Sequence, residues 1–226
     1  MAVILTSMNN FIHENPLGDI ELNTINQNGK RLYVTPTGEN YPSVTTVLSE
    51  YKKDGIIAWR KRVGNKEANK ISTQASRRGT KVHKLCEDYL NNENNLFEGY
   101  TPDNVVMFKS IQSILDEIEV VYAQERTLFS HHLKTAGRVD CVGKFRGKPH
   151  IIDFKTSNKP KKWEWIDNYF MQGSAYSVMW EEMTGIPIPY MAIIIAVADD
   201  TPQVFIENRD TWINKFIEVR SNYDRN

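Results

Sequence analysis

Apolar positions recur along this chain in two periods, and the alternation between them predicts most of its elements. Residues 137–145 and 150–156 are short apolar runs, each broken by one aspartate, Asp140 and Asp153. Arg146, Gly147, Lys148 and Pro149 between them carry turn chemistry, so the pair reads as two antiparallel strands. In an alternating strand Asp153 and Lys155 share a face, and Asp140 on the neighbouring strand reaches the same point. Ile151, Ile152 and Phe154 make the second run almost continuously apolar, which predicts burial on both faces. An Asp-x-Lys pair alone is commonplace on a solvated strand. A buried carboxylate, however, is costly unless paired or bound to metal. Two carboxylates and a lysine converging there suit a divalent metal beside a phosphate.

The remaining pattern predicts elements around this pair. Residues 20–34 read as a hairpin turning at Asn28-Gly29. Breakers follow at Pro36, Gly38 and Pro42, and Ser43 is placed to cap a helix starting at Val44. Residues 77–90 read as a helix entered through a turn at Gly79, with Val82, Leu85, Cys86, Tyr89 and Leu90 inward. His83 and Glu87, four apart, share one face of it. Residues 103–119 form an amphipathic helix, and residues 120–130 a strand that includes Glu125. His131 and His132 mark an exposed corner. A basic loop at 157–162 leads into a helix over 163–184 carrying Tyr169, Gln172 and Tyr176, stopped by Gly185 and Pro187. Residues 190–198 read as a central strand and 203–207 as a further one. Asp210 is expected to cap a last helix running to Tyr223.

Composition bounds the class. A chain of 226 residues, 40% hydrophobic and 11% aromatic, supports one cored domain. It divides into an N-terminal elaboration (1–70), a core (71–209) and a C-terminal helix (210–226). The apolar runs are too short for a membrane helix, and residues 1–5 lack a basic flank and cleavage site, so no secretory leader is expected. Cys86 and Cys141 follow no metal spacing and point to a reducing, cytoplasmic setting. Net charge is zero, with 28 basic and 28 acidic residues, so any nucleic-acid surface must be local. Residues 51–84 are locally basic, with Lys52, Lys53, Arg60, Lys61, Arg62, Lys66, Lys70, Arg77, Arg78, Lys81 and Lys84 against Asp54 and Glu67. Trp59 among these cations is the pattern of a surface for single-stranded nucleic acid, while a solvated helical face gives the same charge run.

In order, the motifs are RGTxVHxxxE over 78–87, GRVD over 137–140, DFKT over 153–156 and QxxxY over 172–176. This series resembles the PD-(D/E)xK nuclease superfamily, and within it the RecB-like exonucleases. SVTTVL at 43–48 and the segment through Trp59 also resemble small stand-alone members of phages and the mitochondrial genome-maintenance branch. The resemblance covers about residues 40–200. Each motif alone is weak, and four in this order are specific.

The resemblance implies an α/β, restriction-endonuclease-like αβββαβ core, with a central mixed sheet flanked by helices and an N-terminal hairpin and helical elaboration. It implies Mg²⁺ or Mn²⁺ held by His83, Asp140, Asp153 and the backbone carbonyl of Phe154. Lys155 would stabilise developing charge, and Glu87 would act through a water or a neighbour. Gln172 and Tyr176 would orient the lysine or touch phosphate. Trp59, Arg77, Arg78, Lys81 and Tyr169 would contact nucleic acid. Two cysteines cannot ligate the four-cysteine iron–sulfur cluster of many such enzymes, and no GxxxxGK[ST] loop is present, so neither cluster nor ATP is expected.

The reading with most support is a metal-dependent DNA exonuclease acting at single-stranded ends, in phage-type recombination, repair or genome processing beside replication or recombination proteins. A structure-specific or restriction-type endonuclease competes with it, because the same core cuts internally when its groove is open. A non-cleaving nucleic-acid-binding module is the alternative from another class.

Overall fold

The computed structural model describes residues 10–27 and 30–225. The elements in chain order are β1 (Ile12–His13), β2 (Asn23–Gln27), β3 (Lys30–Val34), β4 (Asn40–Pro42), α1 (Val44–Tyr51), α2 (Lys53–Val63), α3 (Asn65–Leu90), α4 (Pro102–Leu115), β5 (Ile118–Ser130), β6 (Thr135–Phe145) and β7 (Lys148–Ser157). A 3₁₀ turn (Trp163–Trp165), α5 (Asp167–Thr184), β8 (Tyr190–Val197), β9 (Gln203–Asn208) and α6 (Arg209–Tyr223) follow.

The main sheet has the order β1-β5-β6-β7-β8-β9. β5, β6 and β7 form an antiparallel meander. β7 and β8 are parallel, so α5 serves as the crossover that a parallel pair requires. From α3 onward the chain runs helix, three strands, helix, strand, with α4 inserted after α3. This is the expected mixed α/β architecture. Helices cover both faces. On one, Phe170, Met171 and Trp180 of α5 pack with Val139, Ile151, Ile193 and Ile195. On the other, Leu85 of α3 and Phe108 and Ile111 of α4 pack with Cys141, Ile152, Phe154 and Ile194. β7 is therefore buried on both sides, as its apolar run predicts. A small sheet, β2-β3-β4, sits beside β6 through Tyr33, Tyr41 and Ala136.

Several local expectations change. The hairpin is present, but its first arm begins at Asn23 rather than residue 20, and Asn28 and Gly29 lie outside the described residues, as do residues 1–5. Ser43 does cap α1, its hydroxyl accepting the Thr46 N–H at 3.0 Å. The turn between β6 and β7 is only Arg146-Gly147, both at positive φ (50° and 78°), so Lys148 and Pro149 already pair with Phe145 and Lys144. Positive φ at both central residues matches the right-handed twist of a two-residue hairpin. α4 ends at Leu115 and β5 begins at Ile118, ahead of residue 120. Asn208, not Asp210, caps α6, accepting the Asp210 N–H at 2.8 Å.

The largest change concerns α3. It is one helix of 26 residues that passes straight through Gly79, so no glycine turn admits it, and residue 71 lies inside it. A single glycine costs a helix interior about 1 kcal/mol. Buried Ala68, Val82, Leu85, Cys86 and Leu90 anchor the helix at both ends and outweigh that cost.

Candidate active site

The site follows from strand register. β5 and β6 pair Gln124 with Cys141 and Arg126 with Val139, which sets Glu125 opposite Asp140. β6 and β7 pair Cys141 with Ile152, which sets Asp140 opposite Asp153. Three acidic residues thus form one row across three strands. At this row the β6–β7 ladder ends, and Asp140 Oδ2 accepts the Phe154 N–H at 2.9 Å in place of a backbone carbonyl. Glu125 has φ +50°, and among the described residues it is the one non-glycine with positive φ that lies within a strand rather than a turn or loop. Backbone held in that sparsely populated region costs about 1–3 kcal/mol and concentrates at functional sites.

α3 brings His83 to the row. Its Nε2 lies 2.9 Å from Asp140 Oδ2, and its Nδ1 lies 3.4 Å from Glu125 Oε1. The ring meets Phe154 edge-on at 6.0 Å between centroids. His83, Glu125 and Asp140 each offer a ligand atom, all within 4.8 Å of one another. Asp153 stands beside them, 2% exposed. Its Oδ1 accepts from Lys155 Nζ at 2.6 Å and from Gln172 Nε2 at 3.1 Å. Lys155 Nζ also lies 2.5 Å from Asp153 Oδ2, but at an angle that makes no hydrogen bond, and 5.2 Å from the Tyr169 ring centroid.

The electrostatics follow from this packing. Burial pushes the His83 imidazole down, but the hydrogen bond and charge of Asp140, with Glu125 and Asp153, outweigh it and hold its pKa up at about 9. Burial lifts the Asp153 carboxyl, opposed by Lys155 and reinforced by Asp140, to about 6. Burial would lift Asp140 too, but His83, Lys155 and the Phe154 amide hold it below the usual carboxylate range. Lys155 is held above its ordinary value, because Asp153 and Asp140 outweigh its desolvation.

This set fits a divalent cation. Glu125 Oε1 is buried with no hydrogen-bond donor, a cost that a cation at the row relieves, whereas Asp153 Oδ2 already faces the Lys155 ammonium. Carboxylate oxygens suit Mg²⁺, and one imidazole makes Mn²⁺ equally suitable.

Not every predicted site residue joins the cluster. An open cleft of about 530 Å³ lies over it, lined by Gly79, Thr80, Val82, His83, Lys84, Glu87, Glu125, Phe154, Lys155 and Thr156. Glu87 is on the cleft wall, one helical turn past His83, with Lys84 Nζ 3.2 Å away. Tyr176 is buried behind the row, 3% exposed, against the backbone of Gly137. Arg78 donates to Asn158 beyond Thr156, leaving its Nε buried without an acceptor. Arg77 and Lys81 are exposed on α3, with Lys81 Nζ 5.4 Å from the Tyr100 ring centroid. Trp59 is half-buried on α2, away from the cleft wall. His131 and His132 are exposed as expected, His131 Nδ1 lying 2.9 Å from Tyr41 Oη. Glu125 is the residue that reading the motifs passes over. Its one sequence signal is the polar break Gln124-Glu125-Arg126 between the apolar runs 120–123 and 128–129.

Comparison with known proteins finds relatives over part of the chain. The chain is 34% identical over 128 residues to mitochondrial genome maintenance exonuclease 1 of Mus musculus, covering 53% of this chain. It is 30% identical over 136 residues to the protein of that name from Homo sapiens, again covering 53% of this chain. It is similar to these exonucleases over part of its length. The Xenopus tropicalis protein of the same name is 25% identical over 173 residues, covering 71% of this chain. The matches span 38% of the mouse and human proteins and 50% of the frog protein. No family model matches the chain. Among the described residues no helix is long and apolar enough to cross a membrane.

Proposed function

We propose that the protein is a metal-dependent nuclease that hydrolyses phosphodiester bonds from single-stranded DNA ends. The observation that carries this reading is the joining of the His83–Glu125–Asp140 cluster to the Asp153–Lys155 pair beneath one open cleft. His83, Glu125 and Asp140 would hold Mg²⁺ or Mn²⁺, with Asp153 and the Phe154 carbonyl beside them. Such an ion, when bound, lowers the pKa of a coordinated water and neutralises charge on the scissile phosphate.

The chain's own residues do the remainder. Lys155 stays an ammonium because two carboxylates face it, so it supplies a fixed positive charge where negative charge develops on phosphate oxygens. Asp153 aims that ammonium, and Gln172 aims Asp153. The Tyr169 ring covers the lysine and limits its motion. Arg78 and Lys81, on the helix that carries His83, extend the positive charge along the strand's path.

The test uses linear and circular single-stranded DNA with Mg²⁺, Mn²⁺ or EDTA, and Lys155→Ala as control. Metal-dependent loss of linear DNA with circles spared is the expected result, and labels at the 5′ or 3′ end give polarity. Cutting of both substrates makes the enzyme an endonuclease. Binding without cutting in every metal overturns the catalytic reading.

A further inference from the structure

The basic loop leaving β7 has no part in the cleft, yet it leads from Lys155 to an indole in an unusual state. Trp163 and Trp165 occupy the same 3₁₀ turn, but they are held differently. The Trp163 indole N–H donates to Glu207 at 2.6 Å, and its ring packs against Phe170 and Trp212 at centroid separations of 5.7 and 5.3 Å. Trp163 is therefore anchored to the body of the protein. Trp165 is 58% exposed, and among the described residues the contact recorded for its ring is the Lys162 ammonium, 5.4 Å from the centroid.

The loop that presents it is braced. Gln203 accepts the Lys161 N–H at 2.7 Å and donates to the Lys161 carbonyl at 2.9 Å. On the other side Asp167, the first residue of α5, takes Lys52, Lys215 and Tyr51. Lys159 and Lys162 are exposed and Lys161 half-buried, and among the described residues none of the three makes an ion pair. Glu164 is the one acidic residue among them. Four residues past Trp165, Tyr169 lies over Lys155, so the same stretch of chain runs from this patch to the site.

We propose that Trp165, with Lys159, Lys161 and Lys162, is a stacking platform that holds one base and the flanking phosphates of the single strand entering the cleft. An exposed indole on a rigid turn offers a π-face to any base, and unpaired lysines beside it match the phosphate charge. A docking face for protein would be expected to group several exposed apolar side chains around the indole, whereas the turn adds Trp163, 42% exposed but packed on Phe170 and Trp212, and otherwise lysines and a glutamate. The proposal deepens the nuclease reading and rests on it for the identity of the strand.

The experiment measures binding of a 5′-labelled oligothymidylate 20-mer in EDTA, where nothing is cut, by fluorescence anisotropy over a salt series. Trp165→Ala is expected to weaken binding about 5- to 140-fold, the range of one base–aromatic stack. Trp165→Phe is expected to recover most of it. Lys161→Ala with Lys162→Ala should flatten the dependence of log Kd on log salt by about 1.4. Thermal melting checks that the exposed substitution leaves the fold intact. A Trp165→Ala protein that melts like wild type and binds within twofold of it overturns the platform, even if wild type cuts the oligomer when metal is added. Wild-type protein that binds through Trp165 but cuts nothing keeps the platform and overturns the nuclease reading instead. Protein that neither binds nor cuts overturns both.

Discussion

Glu125 and Asp140 face each other across the β5–β6 pair, and His83 reaches both, at 3.4 and 2.9 Å. A glutamate held at φ +50° within a strand, with a buried oxygen lacking a donor, is poised for a cation. Glu125→Gln keeps the shape and removes the charge. It is expected to weaken Mn²⁺ binding about 10- to 100-fold, read by calorimetry. Unchanged affinity would take Glu125 out of the ligand set.

Lys155→Ala should leave the melting temperature near wild type and lower turnover by at least about 10²-fold, the scale of losing one aimed electrostatic group. Single-turnover cleavage of linear DNA measures it. Near-wild-type turnover would end the assignment of Lys155.

Metal binding should tighten as pH rises. His83 has a pKa of about 9 in the metal-free protein, so at neutral pH its imidazole is protonated, and a metal must displace that proton. Between pH 6.5 and 8.5 the apparent Kd for Mn²⁺ is expected to fall about tenfold per unit, levelling above pH 9. Calorimetry in buffers of different ionisation enthalpy should count close to one proton released at pH 7.5. His83→Asn should flatten the profile, and a wild-type profile already flat would exclude His83 as a ligand.

Gly137 has no room for a side chain. A Cβ there would sit 2.7 Å from Tyr176 Oη and 2.9 Å from its Cε1, and the ring is buried. Gly137→Ala should cost about 1–3 kcal/mol in denaturant unfolding. Tyr176→Phe in the same chain should return part of that loss by removing the hydroxyl nearest the new methyl.

Asp167 ties α1 to α5 and α6 through Tyr51, Lys52 and Lys215. Burial would raise its carboxyl, but these three donors hold it well below the usual range. A depressed folded-state pKa means the stabilisation is complete above pH of about 4 and lost as pH falls below that. Asp167→Asn should therefore be less stable than wild type by about 1–2 kcal/mol at pH 7, and the gap should narrow at pH 3.

What the sequence disclosed depended on the range of the interaction. Asp140, Asp153 and Lys155 were legible because strand alternation and a neighbouring hairpin are local rules, and the buried β7 followed from its own apolar run. His83 could be placed on a helix, but its contact with Asp140 needed α3 docked on the sheet. Glu125 was not legible, because its place depends on the register across the Ser130–Thr135 turn, which no local rule sets. Gly79 was misread for a related reason: a breaker considered alone predicts a turn, while anchoring at Ala68 and Leu85 keeps the helix whole. Asn208 displaced Asp210 as a cap because both offer side-chain oxygens, and only backbone conformation separates them.

The unbroken α3 makes the molecule a gauge of length. Asn65, the first residue of the helix, and His83, at the row of carboxylates, are fixed on one rod. Eighteen residues separate them, about 27 Å at ~1.5 Å each. At ~3.4 Å per nucleotide that distance corresponds to about eight nucleotides of a stacked strand. Oligomers shorter than this cannot touch both ends of the rod at once, so cleavage efficiency should climb with substrate length and then saturate near that number. Inserting one turn of helix before Gly79 would move the saturation point by about one to two nucleotides, so that a structural distance is read out as a substrate length.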